Sequence, residues 1–214
     1  MTLRTTPRYD GAAALSRAVV LLQQPQRSIL GIAGSPGAGK STYAERLVRE
    51  LKALGHPVAL VPMDGFHLAQ TALTELGLTA VKGAPETFDV DGYAALLRRL
   101  RQRSGRTVWV PRFDRDLEEP IAAGLAVPDE TRLVVTEGNY LLLDQGPWAT
   151  VRPLLDECWF LELDPAVRRH RLTARHVRHG RTEDEARART AGSDEANARL
   201  IDATRVHADA FLSA

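Results

Sequence analysis

A chain of 214 residues, 44% hydrophobic and 26% charged, has the size and composition of one ordinary globular domain. A formal net charge of +1 excludes a bulk electrostatic case for nucleic acid as the main partner. The single cysteine, Cys158, excludes an intramolecular disulfide, and its apolar setting reads as a buried strand thiol.

Gly11 to Leu22 carries Ala, Leu and Val at helical spacing and ends at Gln23-Gln24-Pro25, which predicts a leading helix packed across a sheet edge. Arg17 interrupts that apolar stretch and a strand soon follows, leaving no room for a cleavable signal. No apolar run approaches membrane-spanning length, so the expectation is a soluble cytoplasmic protein with no membrane partner.

Arg27 to Ala33 is a short aliphatic run, and Gly34-Ser35-Pro36-Gly37-Ala38-Gly39-Lys40-Ser41-Thr42 follows it directly. This is the spacing G-x-x-x-x-G-K-[ST] between a strand and a helix. Glycines let successive backbone N–H groups curl inward, and the following helix aims its N-terminal partial positive charge at the same point, so residues 34–42 form a polyphosphate nest. Lys40 would reach the β- and γ-phosphates, and the Ser41 hydroxyl would sit on Mg²⁺, which makes ATP and Mg²⁺ the expected cofactors.

Tyr43, Ala44, Leu47, Val48, Leu51 and Leu54 make a helical stripe stopped by Gly55 and Pro57. Val58 to Val61 reads as a strand buried on both faces, delivering Asp64 at its carboxyl end. Gln70 to Val90 has no sustained period and reads as short helix and loop. Asp91 would cap a helix with Tyr93, Leu96, Leu97 and Leu100 inward and Arg98, Arg99, Arg101 and Arg103 on a solvated face. Thr107 to Val110, Leu133 to Thr136 and Glu157 to Leu163 read as strands, the second ending in Glu137. A basic helix is expected from Pro165 to about His179, closed by Gly180, with further helices over 183–191 and 196–204 and an edge strand over 209–212. Alternating strands and helices predict a parallel sheet covered on both faces, with ligands beyond the carboxyl ends of the strands, where Asp64 and Glu137 both project.

Met63-Asp64-Gly65-Phe66-His67, Lys82-Gly83-Ala84-Pro85-Glu86-Thr87-Phe88-Asp89 and Glu137-Gly138-Asn139-Tyr140-Leu141-Leu142, together with the phosphate loop, resemble the uridine kinase, phosphoribulokinase and bacterial pantothenate kinase superfamily. The likeness is greatest to its short bacterial members, labelled nucleoside, nucleotide or fructose kinases. It runs from Ser28 to about Arg205. It implies a three-layer α/β/α P-loop NTPase fold, a mostly parallel sheet, and a helical lid over about residues 165–195 in a single kinase domain. It further implies that Asp64 is the catalytic base, that Glu137 lies near metal and acceptor, and that Lys82, Glu86, Phe88, Asn139 and Tyr140 border the acceptor. Arg112-Phe113-Asp114-Arg115 looks like the acceptor-recognition segment, with Phe113 and Arg115 as contacts. Arg168, Arg171 and Arg175 resemble lid arginines, the first toward the nucleotide and the others toward the transferring phosphoryl group.

The residues themselves leave alternatives open. Asp64 could cap a turn with Gly65, Glu137 could be a cap or could order a Mg²⁺-bound water, and His67 could line the pocket or sit on a surface. Arg112 to Arg115 could be a surface loop with paired charges, and the basic helix could be a solvated face paired with Glu183, Asp184 and Glu185. Asn139 and Asn197 are followed by Tyr and Ala, so the Asn-Lys-x-Asp motif of a GTPase switch is missing. The function expected is therefore phosphoryl transfer from ATP to a small-molecule alcohol. A nucleoside monophosphate kinase and a non-catalytic nucleotide sensor are the alternatives, and a homodimer is open.

Overall fold

The computed structural model describes residues 5–213. Six parallel strands form the central sheet: β1 (Arg8–Tyr9), β2 (Ser28–Ala33), β3 (Val58–Pro62), β6 (Leu133–Glu137), β7 (Glu157–Glu162) and β8 (Ala210–Ser213), in the order β1-β8-β7-β2-β6-β3. β4 (Val108–Asp114) and β5 (Glu119–Val127) form a separate antiparallel ribbon. The helices are α1 (Gly11–Leu22), α2 (Lys40–Ala53), α3 (Gln70–Glu75), α4 (Val90–Arg101), α5 (Pro165–Arg178), α6 (Glu183–Arg189) and α7 (Glu195–Ala203).

Adjacent residues of a strand point to opposite faces, and both faces here are apolar. Ile29 joins a core with Tyr93, Leu97 and Trp148 on the α4 side. Leu30 joins a second core with Ala18, Leu47 and Leu51, contributed by α1 and α2. The result is the expected three-layer arrangement, with buried Cys158 in the central layer.

Register sets the position of the site. Glu137 pairs with Ile32 of β2 and with Pro62 of β3, so the three strands end level at one edge. The chain leaves that edge at Gly34, Met63 and Gly138, which brings the phosphate loop, Asp64 and Glu137 together.

Three local expectations are corrected. Asp89, not Asp91, caps α4, accepting from the Gly92 N–H at 2.9 Å, because Asp89 is the last extended residue and Asp91 already lies in the first turn. The strand at Val108 belongs to the ribbon and runs on to Asp114, so Arg112 to Asp114 lie in a strand and not after one. Its partner β5 alternates poorly and is mostly exposed, so it leaves no period to read. β8 is not the edge, since the two-residue β1 pairs outside it. Among the described residues no helix is long and apolar enough to cross a membrane.

Candidate active site

Gly37 has φ +80°, and a Cβ there would lie 2.7 Å from Leu172 Cγ, so the loop is closed over by α5 at a position only glycine fits. Gly39, Lys40, Ser41 and Thr42 face a cleft of about 1310 Å³ together with Pro36 and Gly37. Gly34, Ser35 and Ala38 lie outside its lining, and the Ser35 hydroxyl turns back to donate to Asp202 of α7 at 2.5 Å. Lys40 is buried and donates from Nζ to Asn139 Oδ1 at 2.6 Å and to the Ser35 carbonyl at 3.2 Å. Burial pulls its pKa below the ordinary lysine value, against the pull of Glu137 and Asp64.

Ser41 Oγ donates to Glu137 Oε1 at 3.0 Å. Glu137 is 4% exposed, and burial reinforced by the Asp64 charge pushes it up to about 7. Asp64 goes the other way. Burial, the largest influence, would raise it, but His67, Arg115 and Lys40 together hold it below the usual carboxylate range. Arg115 donates directly to Asp64 Oδ2. The two neighbouring carboxylates are thus driven apart in pKa, Glu137 up and Asp64 down. Among the described residues no cluster of three or more His, Cys, Asp or Glu could hold a metal by itself. A single buried carboxylate beside a hydroxyl still fits Mg²⁺, which takes one or two protein oxygens and completes its shell with phosphate and water.

Opposite the phosphate loop the cleft is walled by aromatic and cationic groups. His67 stacks on Phe88 at 4.0 Å and on Phe113 at 4.7 Å between ring centres, and Nδ1 lies 2.8 Å from the Asp64 carbonyl. Burial lowers the His67 pKa, against the pull of the neighbouring Asp64 charge. Lys82 and Arg115 lie over the Phe113 ring at 5.7 Å and 5.0 Å. Lys82 Nζ donates to the Glu118 carbonyl at 2.7 Å, tying the wall to the ribbon.

Two acceptor-side expectations are overturned. Tyr140 is fully buried outside the lining, donates to the Gly83 carbonyl at 2.5 Å and stacks edge-on behind Phe88. Glu86 is exposed outside the cleft, because the turn 85–87 directs Thr87 inward in its place. His67, Lys82, Phe88, Phe113, Arg115 and Asn139 do line it.

The basic helix α5 also divides. Arg171 and Arg175 face the cleft, whereas Arg168 is buried, pairs with Glu195 of α7 and is outside the lining. Its Nη1 is buried without a hydrogen-bond partner among the described residues. The i, i+3, i+7 spacing put all three on one face, but Glu195, the first residue of α7, takes Arg168 into an ion pair away from the cleft. A π-helical turn over 190–194 joins α6 to α7, and it brings Ser193, Asp194 and Asn197 to the cleft. These residues, with Gln70, Thr79 and Arg189, had gone unread, since they lie outside any motif and only the turn geometry aims them inward.

Residues 5–68, the phosphate-loop portion, match the family model "Methylmalonyl Co-A mutase-associated GTPase MeaB". A protein of Schizosaccharomyces pombe provisionally named a uridine kinase is 34% identical over 205 residues, spanning 92% of this chain and 87% of that one. A solved structure from Silicibacter sp. TM1040, provisionally described as a fructose transport system kinase, has 40% identity and a TM-score of 0.86, covering 95% of this chain and 98% of the other. YFH7 of Saccharomyces cerevisiae shares the fold, with a TM-score of 0.79 at 20% identity over 96% of this chain and 99% of its own. Phosphate loop, parallel sheet and these full-length similarities agree: the chain belongs to the uridine kinase-like family of P-loop kinases.

Proposed function

We propose that the protein is a Mg²⁺-dependent kinase that moves the γ-phosphoryl group of ATP to the hydroxyl of a small-molecule alcohol, with residues 1–214 acting as one kinase domain and 165–195 as its lid. The observation that carries this reading is Asp64, which lines one cleft together with the phosphate loop and the aromatic groups His67, Phe88 and Phe113. Phosphoryl transfer needs charge neutralisation, alignment, and a group to take the acceptor's proton. Lys40 and the loop N–H groups bind the β- and γ-phosphates. Ser41 and Glu137 would hold Mg²⁺, which supplies neutralising charge to the phosphates when bound. His67, Phe88, Phe113 and Lys82 position the acceptor so that its hydroxyl faces Asp64, and Arg171 and Arg175 spread the charge developing on the transferred group.

The test is ADP release across a panel of uridine, D-fructose, pantothenate and uridine monophosphate, with ATP and GTP compared as donors. Strong stimulation by one acceptor, lost on the order of 10²–10⁴-fold in Asp64→Asn with ATP affinity kept, supports the reading. Full activity in Asp64→Asn overturns it. Lys82 and Arg115 over Phe113 favour a second reading, an anionic acceptor, which the monophosphate arm of the panel reports.

A further inference from the structure

Asp64 and Arg115 are 51 residues apart in sequence, and the pair they form joins two separate bodies. Asp64 sits on the turn 63–66 that follows β3, and Arg115 sits at the tip of the β4–β5 ribbon. The root of the ribbon is fixed to that turn: a Cβ on Gly65 would lie 2.5 Å from the Pro111 carbonyl oxygen. The tip is different. Residues 115–118 are all exposed, but their backbone is held by Lys82 on the Glu118 carbonyl and by Asp114 on the Asp116 and Leu117 N–H groups, so the part of the contact that can move is the Arg115 side chain.

Several charged groups face Asp64: His67 from its own turn, Lys40 from α2, Glu137 from the end of β6, Arg175 from α5 and Arg115 from the ribbon. Among the described residues only Arg115 donates a hydrogen bond to its carboxylate. The guanidinium charge on Oδ2 lowers the basicity of the whole carboxylate, so proton transfer to Asp64 is hindered until the pair opens. In alcohol phosphorylation and in idle hydrolysis alike, the attacking oxygen bonds to Pγ, the bond from Pγ to the bridging oxygen of ADP breaks, and the hydroxyl proton passes to the base. Water differs from the alcohol only in what the oxygen carries, so a kinase that exposed its base to water would waste ATP.

We propose that Arg115 latches Asp64 while the acceptor is absent, and that the acceptor, entering between Asp64 and Phe113, opens the latch. This rests on the reading of Asp64 as base. Arg115 is thus a positioning residue acting through Asp64, and it lowers idle hydrolysis without touching the triphosphate. A partly exposed ion pair of this kind is favoured by a factor of about four, so the base is free about a fifth of the time.

The experiment uses the full chain with ATP and Mg²⁺ alone. Arg115→Ala should raise idle ADP release about fivefold. Arg115→Lys, which can still pair with Asp64, should bring it back toward the original rate, and Arg115→Ala combined with Asp64→Asn should abolish the rise. An idle rate in Arg115→Ala that stays level or falls overturns the latch, as does a rise that survives Asp64→Asn. Acceptor panels on the unmodified protein separate this from the function proposed above. If no alcohol stimulates it yet Arg115→Ala still raises idle release through Asp64, the kinase reading fails and the latch stands. If an alcohol stimulates it and the variant shows no rise, only the latch fails.

Discussion

Lys40 makes both of its hydrogen bonds to neutral oxygens, one main-chain and one from Asn139, so its charge is held in the interior without a direct carboxylate partner. An anion arriving at the loop would give that charge a direct partner, beyond the longer-range pull of Glu137 and Asp64. Lys40→Ala should therefore abolish turnover and weaken ATP binding more than ADP binding in paired calorimetric titrations, since the side chain reaches toward the γ-phosphate. Glu137 is the converse case. Its folded pKa of about 7 stands above the ordinary 4.5, so the folded protein keeps a proton that the unfolded chain has already lost. The stability this lends is fully present below about pH 4.5 and is lost as pH rises through about 7. Without metal, Glu137→Gln should melt several degrees above the unmodified protein at about pH 8 and show no such advantage at about pH 4. Differential scanning in EDTA at the two pH values reads both. Added Mg²⁺ should narrow the gap at the higher pH, because the cation stabilises only the carboxylate.

At the scale of elements, α5 carries two roles on one stripe. Arg171→Ala and Arg175→Ala should lower kcat more than they raise KM and leave the melting temperature nearly unchanged, as expected of contacts made mainly in the transition state. Arg168→Ala should instead cost about 2 kcal/mol of stability by leaving Glu195 of α7 with only the longer contact to Arg169, which urea unfolding measures. Equal kinetic losses in all three variants would remove this division. The sequence shows the limits of such readings on the same helix. Its bounds were legible from Pro165 and Gly180, and the basic stripe from spacing alone, yet nothing local says which neighbour covers which turn. The phosphate loop and the strands ending at Asp64 and Glu137 were equally plain, because each is defined by its own residues. Tyr140 and Glu86 were not, since a motif names positions and the packing of the turn 85–87 decides which of them reach the cleft. The β5 strand was hidden for a related reason: exposed on most of its length, it has no buried face to impose a period.

Across the whole molecule, one sheet edge holds the phosphate loop, Asp64 and Glu137, and α5 brings Arg171 and Arg175 to that edge by resting Leu172 on Gly37. Gly37→Ala should weaken ATP binding at least about tenfold, and a second change, Leu172→Ala, should recover part of that loss by making room for the new methyl group. No recovery would place the whole cost in the backbone at φ +80°. The ribbon stands apart from this arrangement, since β4 and β5 form a sheet of their own and the register of β2, β6 and β3 is set without them. Its tip, 115–118, can therefore be lengthened, shortened or exchanged without breaking a hydrogen bond of the central sheet. On the proposed function, acceptor choice is in this sense modular: a graft on the three exposed residues 116–118, with Arg115 kept, would redirect which alcohol is admitted, while the phosphate loop is inherited unchanged.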